Sequence, residues 1–226
     1  MTPDPAPPEA LMIFAAGLGT RMGALTADRP KPLVPLAGRP LIDHALDLAA
    51  GLPRIIVNTH YRAGQLARHL AGRGVAISHE PELLDTGGGL KAALPLLGPG
   101  PVFTLNPDVA WRGPNPLALL RAAWKPQMSG LLLLVPLSRT RARQGGGDAH
   151  LLADGRLRWG GDLVYTGAQI LRTGPLAEIP GPAFPLRRLW ERAGEGLHGL
   201  VYPGAWCDVG HPAGLAAAEA MLAETP

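Results

Sequence analysis

Behind an apolar run, Leu11 to Phe14, the chain places Ala15-Ala16-Gly17-Leu18-Gly19-Thr20-Arg21-Met22, then Leu25-Thr26, then Pro30-Lys31-Pro32. Glycines directly after a strand let backbone N–H groups come close to a phosphate chain, because no Cβ stands in the way. Arg21 and Lys31 add charge for the same polyanion, one a planar fork and the other a compact ammonium. Lysine is rare in this arginine-biased chain (Lys31, Lys91 and Lys125), and Lys31 is held between two prolines. The spacing is neither the Gly-x-Gly-x-x-Gly of dinucleotide folds nor a Walker loop ending in Lys-Ser/Thr. A turn that merely joins a strand to a helix is the alternative. Length argues against it, since loops beyond about 12–15 residues without structure of their own usually serve function or are disordered.

Two aspartates stand apart from other acids. Asp108 closes Leu105-Asn106-Pro107-Asp108, and Asp208 sits in Trp206-Cys207-Asp208-Val209-Gly210. Magnesium takes oxygen ligands, keeps several waters, and typically binds one or two carboxylates together with substrate phosphates. Two isolated aspartates at strand ends suit that demand; capping a turn or helix is the plainer role for each. A third loop, Glu80-Pro81-Glu82 followed by Asp85-Thr86-Gly87-Gly88-Gly89, offers glycines for approach to a flat base and a glutamate, Glu80 or Glu82, to accept from a ring N–H. A glycine-rich lead into a helix explains the same residues equally well. The seven histidines show no His-Glu-x-x-His spacing and have no cysteine partners, so zinc is not expected. His44 and His69 read as helix-surface residues, His211 as the start of the last helix, and Cys207 as packed rather than reactive.

The elements that must position these groups alternate. Strands are expected at Leu11–Ala16, Arg54–Asn58, Val75–Ser78 and Val102–Leu105, with helices at Leu41–Ala49, Ala63–Ala71 and Gly88–Leu97 between them. Uniformly apolar strands alternating with helices mean a parallel sheet covered on both faces. A ligand then belongs beyond the carboxyl ends of the strands. The first glycine turn, the Glu80–Gly89 loop and Asp108 each follow a strand, so three distant segments point to one rim. From about Pro114 the rhythm changes: a helix at Leu117–Trp124, a buried strand at Gly130–Leu137, a basic glycine-rich loop at Arg139–Gly147, a hairpin at Leu151–Trp159, a strand at Leu163–Leu171, a helix at Phe184–Ala193, a short strand at Leu200–Tyr202 and a closing helix at His211–Leu222. The fold class is therefore α/β, a doubly wound, mostly parallel, Rossmann-like sheet with α+β decoration in its C-terminal part. No internal repeat is visible, so no β-helix domain is expected.

At 226 residues the chain suits one domain: a flexible arm over 1–9, a nucleotide-binding half over about 10–112 and a sugar-binding half over about 113–226. It can bury roughly 70% of its unfolded surface without disulfide staples. One cysteine rules out an intrachain disulfide and suits a reducing compartment. The proline-rich start is a poor signal peptide, and the longest apolar runs fall far short of the eighteen or so residues that span a bilayer. A cytoplasmic protein without a membrane partner is expected. A net charge of +3 is too small to imply nucleic-acid binding without a clustered basic face. Arg139, Arg141 and Arg143 either contact substrate or keep their loop solvated, and solvation is the expectation. The oligomeric state is read as monomer or small homo-oligomer.

The long pattern Gly-x-Gly-Thr-Arg-Met, Leu-Thr, Pro-Lys-Pro resembles the signature of sugar-1-phosphate nucleotidyltransferases. Leu84-Asp85-Thr86-Gly87-Gly88-Gly89, then Ala93-Leu94-Pro95-Leu96-Leu97-Gly98, with Gly147-Asp148, Thr166-Gly167 and Trp206 to Gly210, is similar to the N-acetylmuramate 1-phosphate uridylyltransferase branch of cell-wall (peptidoglycan) recycling. The likeness runs from about Leu11 to Leu222. It implies a GT-A-like fold and transfer of a nucleotidyl group from a nucleoside triphosphate, UTP favoured, to a sugar 1-phosphate, with pyrophosphate leaving. It implies that Gly17, Gly19, Thr20, Arg21 and Lys31 hold the nucleotide phosphates, with Ala15 and Ala16 also binding the nucleotide. Glu80, Thr86, Gly87 and Gly88 would meet the base, and Asn106, Asp148, Thr166 and Gly167 the ribose or sugar. Asp108 and Asp208 would bind Mg²⁺, with Arg21, Lys31 and Asp108 carrying catalysis. Pro107 and Gly23-Ala24 depart from the usual residues of the family. Such chemistry needs no general base, because a phosphate monoester with second pKa near 6 is mostly dianionic at pH 7. Rival readings are a mannose-1-phosphate guanylyltransferase, with the same chemistry and another base, and a nucleotide-sugar binding protein without turnover. A dinucleotide oxidoreductase is disfavoured by the missing third glycine and acidic ribose partner.

Overall fold

The computed structural model describes residues 7–224. Its first half follows from alternating burial. β1 (Ala10–Ile13) sends Leu11 and Ile13 to one apolar cluster and Ala10 and Met12 to another, as a two-residue period requires. A long connection follows, which contains 3₁₀ turns at Thr20–Thr26 and Lys31–Leu33 and a small hairpin of β2 (Pro35–Leu36) and β3 (Arg39–Pro40). Then come α1 (Leu41–Leu48), β4 (Arg54–Thr59), α2 (Ala63–Leu70), β5 (Val75–His79), α3 (Asp85–Ala92), α4 (Leu94–Leu97) and β6 (Pro101–Leu105). Residues of α1 and α2 pack on the Leu11 face with Val57 and Phe103, and residues of α3 and α4 on the Met12 face with Ile56 and Val102. Burying each such Leu, Ile or Phe contributes about 1.5–3 kcal/mol.

Strand order runs β5-β4-β1-β6 with all neighbours parallel. The chain winds outward from β1 to β5, then returns to pair β6 with the other side of β1. Ile13 thus lies level with both Val57 and Leu105, and a crevice opens beyond these strand ends where the winding reverses.

The second half extends the sheet with strands of mixed direction. After β7 (Val109–Arg112) and α5 (Pro116–Ala123) come β8 (Gly130–Pro136), β9 (Thr140–Arg141), β10 (Ala149–Leu151), β11 (Leu157–Trp159) and β12 (Leu163–Arg172). α6 (Arg187–Ala193), β13 (Leu197–Val201), β14 (Ala205–Asp208) and α7 (Pro212–Ala223) complete the chain. β12 pairs antiparallel with β6, β8 and β10, while β13 runs parallel to β8, giving nine strands among the described residues. The register of β12 against β8 shifts between Tyr165 and Gln169. Trp111 and Tyr202 meet edge to face at 4.9 Å beneath this half.

Several expectations are corrected. β1 stops at Ile13, although the Phe14 N–H still donates to the Leu105 carbonyl at 3.0 Å. The third helix starts at Asp85, not Gly88, and breaks at Ala93. The late strand runs Leu197–Val201, and β7 and β14, unforeseen, form with β9 a separate three-stranded sheet. Of the arm expected over 1–9, residues 1–6 lie outside the described ones. The rest is fastened: the Pro8 carbonyl accepts from Arg121 at 3.1 Å and Glu9 faces Arg54 at 3.6 Å.

Candidate active site

At the crevice the backbone is arranged to donate. Among the described residues, no acceptor is present for the N–H groups of Ala16, Gly17, Leu18 or Gly19, which follow β1 in unbroken succession. Gly19 has φ +68°, and a Cβ there would stand 3.0 Å from Lys31 Cβ, so glycine is what lets the turn close against the lysine. Thr26 Oγ1 donates to the Gly19 carbonyl at 3.0 Å and pins the turn from below. Consecutive unclaimed N–H groups beside a left-handed residue form a concavity that binds anions.

Lys31 begins its 3₁₀ turn with Pro30 extended before it and Pro32 after it, and all three are buried. Its ammonium is paired with Asp108 Oδ2. The new small sheet then explains how the two aspartates meet. Asp208 lies level with Val109 across the β14–β7 ladder, and the Val209 N–H donates to the Asp108 carbonyl at 2.9 Å. Gly210 N–H donates to Asp208 Oδ1 at 2.8 Å, and a Cβ at Gly210 would come within 3.0 Å of Arg21 Nη1. Residues from positions 17, 21, 31, 108 and 208 therefore share one corner. Cys207 beside it is buried, and burial, with Asp208 adding to it, pushes its thiol up to about 11.

Two clefts of about 550 and 910 Å³ adjoin here and share Phe14, Gly17 and Asp108. Arg21, Lys31 and Pro107 line the smaller one. Asn58, Leu83, Asp85, Thr86 and Asn106 line the larger. Together they suit a ligand with a charged part and a flat, partly apolar part.

The remaining expected contacts divide. Ala15 lines the smaller cleft, but its N–H already donates to Asn58 Oδ1 at 2.6 Å. Glu80 also lines the larger cleft, but its carboxylate is committed to the protein. It is 1% exposed, Oε1 accepts from Asn58 Nδ2 at 2.7 Å and Oε2 from the Leu84 N–H at 3.1 Å. The chain Ala15–Asn58–Glu80–Leu84 braces the third loop against the first turn. Gly87 and Gly88, expected to meet the base, pack against protein here. Both N–H groups donate to the Phe184 carbonyl, and Cβ atoms would meet the Phe184 ring at 2.5 Å and the Pro182 carbonyl oxygen at 2.1 Å. These glycines admit a neighbouring segment of protein. Thr86 does face the larger cleft, its hydroxyl donating to Asp85 Oδ1 and accepting from the Leu186 N–H.

Thr166 is fully buried, with Oγ1 donating to the Leu133 carbonyl at 2.7 Å, and it lines neither cleft. Gly167, at φ +88°, lies buried under Asn106, whose side chain a Cβ would strike at 2.9 Å, so glycine here makes room for Asn106. Asp148 accepts from the Tyr165 N–H at 2.8 Å and from Arg143 Nη2 at 3.1 Å. The arginines of the basic loop are engaged as well as partly exposed: Arg139 donates to the Pro203 and Gly204 carbonyls, and Arg141 pairs with Glu224. His44 and His69, read as plain surface residues, bond the Leu36 carbonyl and Asp43. Cleft residues that sequence reasoning missed are Phe14, Asn58, Leu83, Asp85 and Gly210; Asp85 has φ +59°, a conformation that aspartate tolerates better than most residues.

The sequence matches the MobA-like NTP transferase domain over residues 11–225. The chain belongs to the MobA-like NTP transferase family. It is a nucleotidyltransferase. An N-acetylmuramate alpha-1-phosphate uridylyltransferase of Caulobacter vibrioides is 42% identical, the match covering 96% of this chain and 98% of that protein. One of the same name from Neisseria meningitidis is 34% identical over 93% of this chain and 96% of its own length. Mannose-1-phosphate guanylyltransferase catalytic subunit beta of Drosophila pseudoobscura pseudoobscura, at 39%, matches only 43% of this chain and 29% of itself. Among solved structures, HddC from Yersinia pseudotuberculosis complexed with GMP-PN shares this fold with TM-score 0.75, at 21% identity, over 95% of this chain and 99% of its own. A putative glucose-1-phosphate thymidylyltransferase from Bacillus anthracis does so with TM-score 0.78, at 16% identity, over 96% of each chain.

Proposed function

We propose that this nucleotidyltransferase joins the uridylyl group of UTP to N-acetylmuramate 1-phosphate, releasing pyrophosphate, in a magnesium-dependent reaction that returns a cell-wall sugar to nucleotide-linked form. The observation that carries the reading is the shared corner: four unclaimed N–H groups, Arg21 and Lys31 beside two carboxylates at a topological switch point. Full-length likeness to the Caulobacter protein supports the choice of base and sugar.

The donor set fits Mg²⁺. Lys31 occupies Asp108 Oδ2 and the Gly210 N–H occupies Asp208 Oδ1, so the other oxygen of each carboxylate remains for a hard cation. Magnesium would take its remaining ligands from phosphate and water. Bound there, it would neutralise phosphate charge. The chain's own part is positioning and electrostatics. The turn after β1 cradles the triphosphate, Lys31 and Arg21 offset charge as it gathers on the leaving pyrophosphate, and the sugar phosphate attacks the α-phosphorus unaided by a base. Lys31 is held by Asp108, so its ammonium stands ready in the cleft instead of ranging through solvent. Among the described residues no helix is long and apolar enough to cross a membrane.

The test is a grid of the four nucleoside triphosphates against several sugar 1-phosphates, read by pyrophosphate release with and without EDTA. UTP with N-acetylmuramate 1-phosphate is expected to give the highest kcat/KM, abolished by EDTA. Preference for GTP with mannose 1-phosphate would move the protein to the guanylyltransferases, and tight binding without release would make it a sensor.

A further inference from the structure

Resting on that reading, we infer that Tyr61 and Arg62 are positioning residues for the triphosphate: touching no phosphate, they hold the turn that cradles it. Neither lines either cleft. They belong to the short turn between β4 and α2, which reaches the far end of the long connection after β1. There the carbonyls of Thr26, Ala27 and Asp28 accept from it in succession. Tyr61 Oη donates to the Thr26 carbonyl at 3.1 Å and shares the Ala27 carbonyl at 3.3 Å. Arg62 Nη2 donates to the Ala27 carbonyl at 2.7 Å, and Gln65 Nε2 to the Asp28 carbonyl at 2.8 Å. Arg62 Nε donates to Tyr61 Oη at 2.9 Å, which keeps the hydroxyl proton turned toward the connection.

What they hold leads straight to the phosphate turn. Thr26 is buried, its Oγ1 donates to the Gly19 carbonyl, and its methyl group lies 3.1 Å from where a Cβ at Gly19 would stand. Moving the Thr26 backbone therefore moves Gly19, the left-handed corner whose N–H is left for an anion. The connection needs such a hold. Gly23, at φ 56° and ψ −127°, interrupts its first 3₁₀ turn, and Met22 anchors only the inner side, in the cluster with Val209 and Met221. The β4–α2 turn is itself bent for the task. Arg62 has φ +49°, a region that is costly for a residue with a Cβ and free for glycine. Glycine would serve that backbone better, so what arginine contributes is its guanidinium; strain of this kind gathers where a functional site is pre-organised. On its other side the same turn is tied to the third loop, His60 Nδ1 bonding the Glu80 carbonyl at 2.8 Å. Changes at Tyr61 or Arg62 leave that second tie intact, so an effect on phosphate can be read apart from one on the base.

Calorimetric titration with Mg²⁺ but no sugar phosphate compares UTP with uridine, which carries the base and no phosphate. Tyr61→Phe removes only the hydroxyl. Arg62→Gly removes the guanidinium and keeps the left-handed backbone. Each should raise the Kd of UTP by about 3- to 10-fold, the size of one lost hydrogen bond, and leave that of uridine within about twofold. Arg62→Lys, which can still donate to the Ala27 carbonyl, should recover most of the UTP affinity. Unchanged UTP affinity, whether or not Tm falls, or equal weakening of UTP and uridine, would make the turn a structural brace alone and overturn the inference. Wild type that prefers another nucleoside triphosphate, or binds without turnover, overturns the proposed function instead; the comparison is then made with the triphosphate it binds and the matching nucleoside. Wild type that binds no nucleoside triphosphate overturns both.

Discussion

At the scale of single residues, Lys31 and Asp108 interact before any substrate arrives, and each is given a part in charge neutralisation. Losing one transition-state charge contact of this kind costs about 3–4 kcal/mol. Lys31→Ala and Asp108→Ala are each expected to lower kcat at least ~100-fold in a pyrophosphate-release assay; near-normal turnover would remove them from the chemistry. Glu80 leads to the opposite expectation. Both its oxygens accept from buried donors, so in Glu80→Gln an amide N–H₂ must face another donor at a cost of about 1–3 kcal/mol. Urea unfolding should register that loss, while the KM for UTP stays within about threefold. A stable variant with poor nucleotide affinity would restore Glu80 as a base contact.

At the scale of elements, α3 depends on glycines that admit the segment 182–184. Gly88→Ala puts a methyl group 2.1 Å from the Pro182 carbonyl oxygen, and backbone rather than a flexible side chain must yield. Overpacking of this sort costs about 1–3 kcal/mol, so calorimetry should show a lowered Tm; an unchanged Tm would mean the segment moves freely. The alternation of strand and helix up to Leu105 was legible in the sequence because β1 and β6 are buried throughout and largely apolar, and β4 carries the run Ile55 to Val57. The fate of Gly87 to Gly89 was not. A glycine that makes room for a ligand and one that makes room for protein look alike until Phe184, almost a hundred residues later, is seen against it. Thr166 failed for a related reason: nothing local tells that its hydroxyl turns inward to the Leu133 carbonyl. β7 and β14 were missed because short strands with mixed exposure have neither an apolar run nor a clear alternation.

For the molecule as a whole, the two aspartates were each legible as candidates, but their adjacency was not. It arises from a ladder between residues a hundred positions apart, and no periodicity encodes such a pairing. The same ladder buries Cys207 next to the charged corner. Its thiol is raised from 9.0 to about 11, with burial the main cause and Asp208 adding to it. A folded-state pKa above the unfolded one means the protonated thiol is favoured by folding. That contribution is whole below pH 9 and is lost as pH rises toward 11. Tyr202, raised by burial to about 12, acts in the same sense between 10 and 12. Urea midpoints should therefore fall between pH 8.5 and 10.5 on the order of the thiol's titration, and Cys207→Ala should fall less over that interval; parallel curves would refute the assignment.

The proposed chemistry depends on where the triphosphate lies. A crystal structure with UTP and Mg²⁺ addresses that directly. The phosphates should rest on the N–H groups of Ala16 to Gly19, with Lys31 turned from Asp108 toward them and the cation between Asp108 and Asp208. Nucleotide bound elsewhere with that turn unfilled would contradict it.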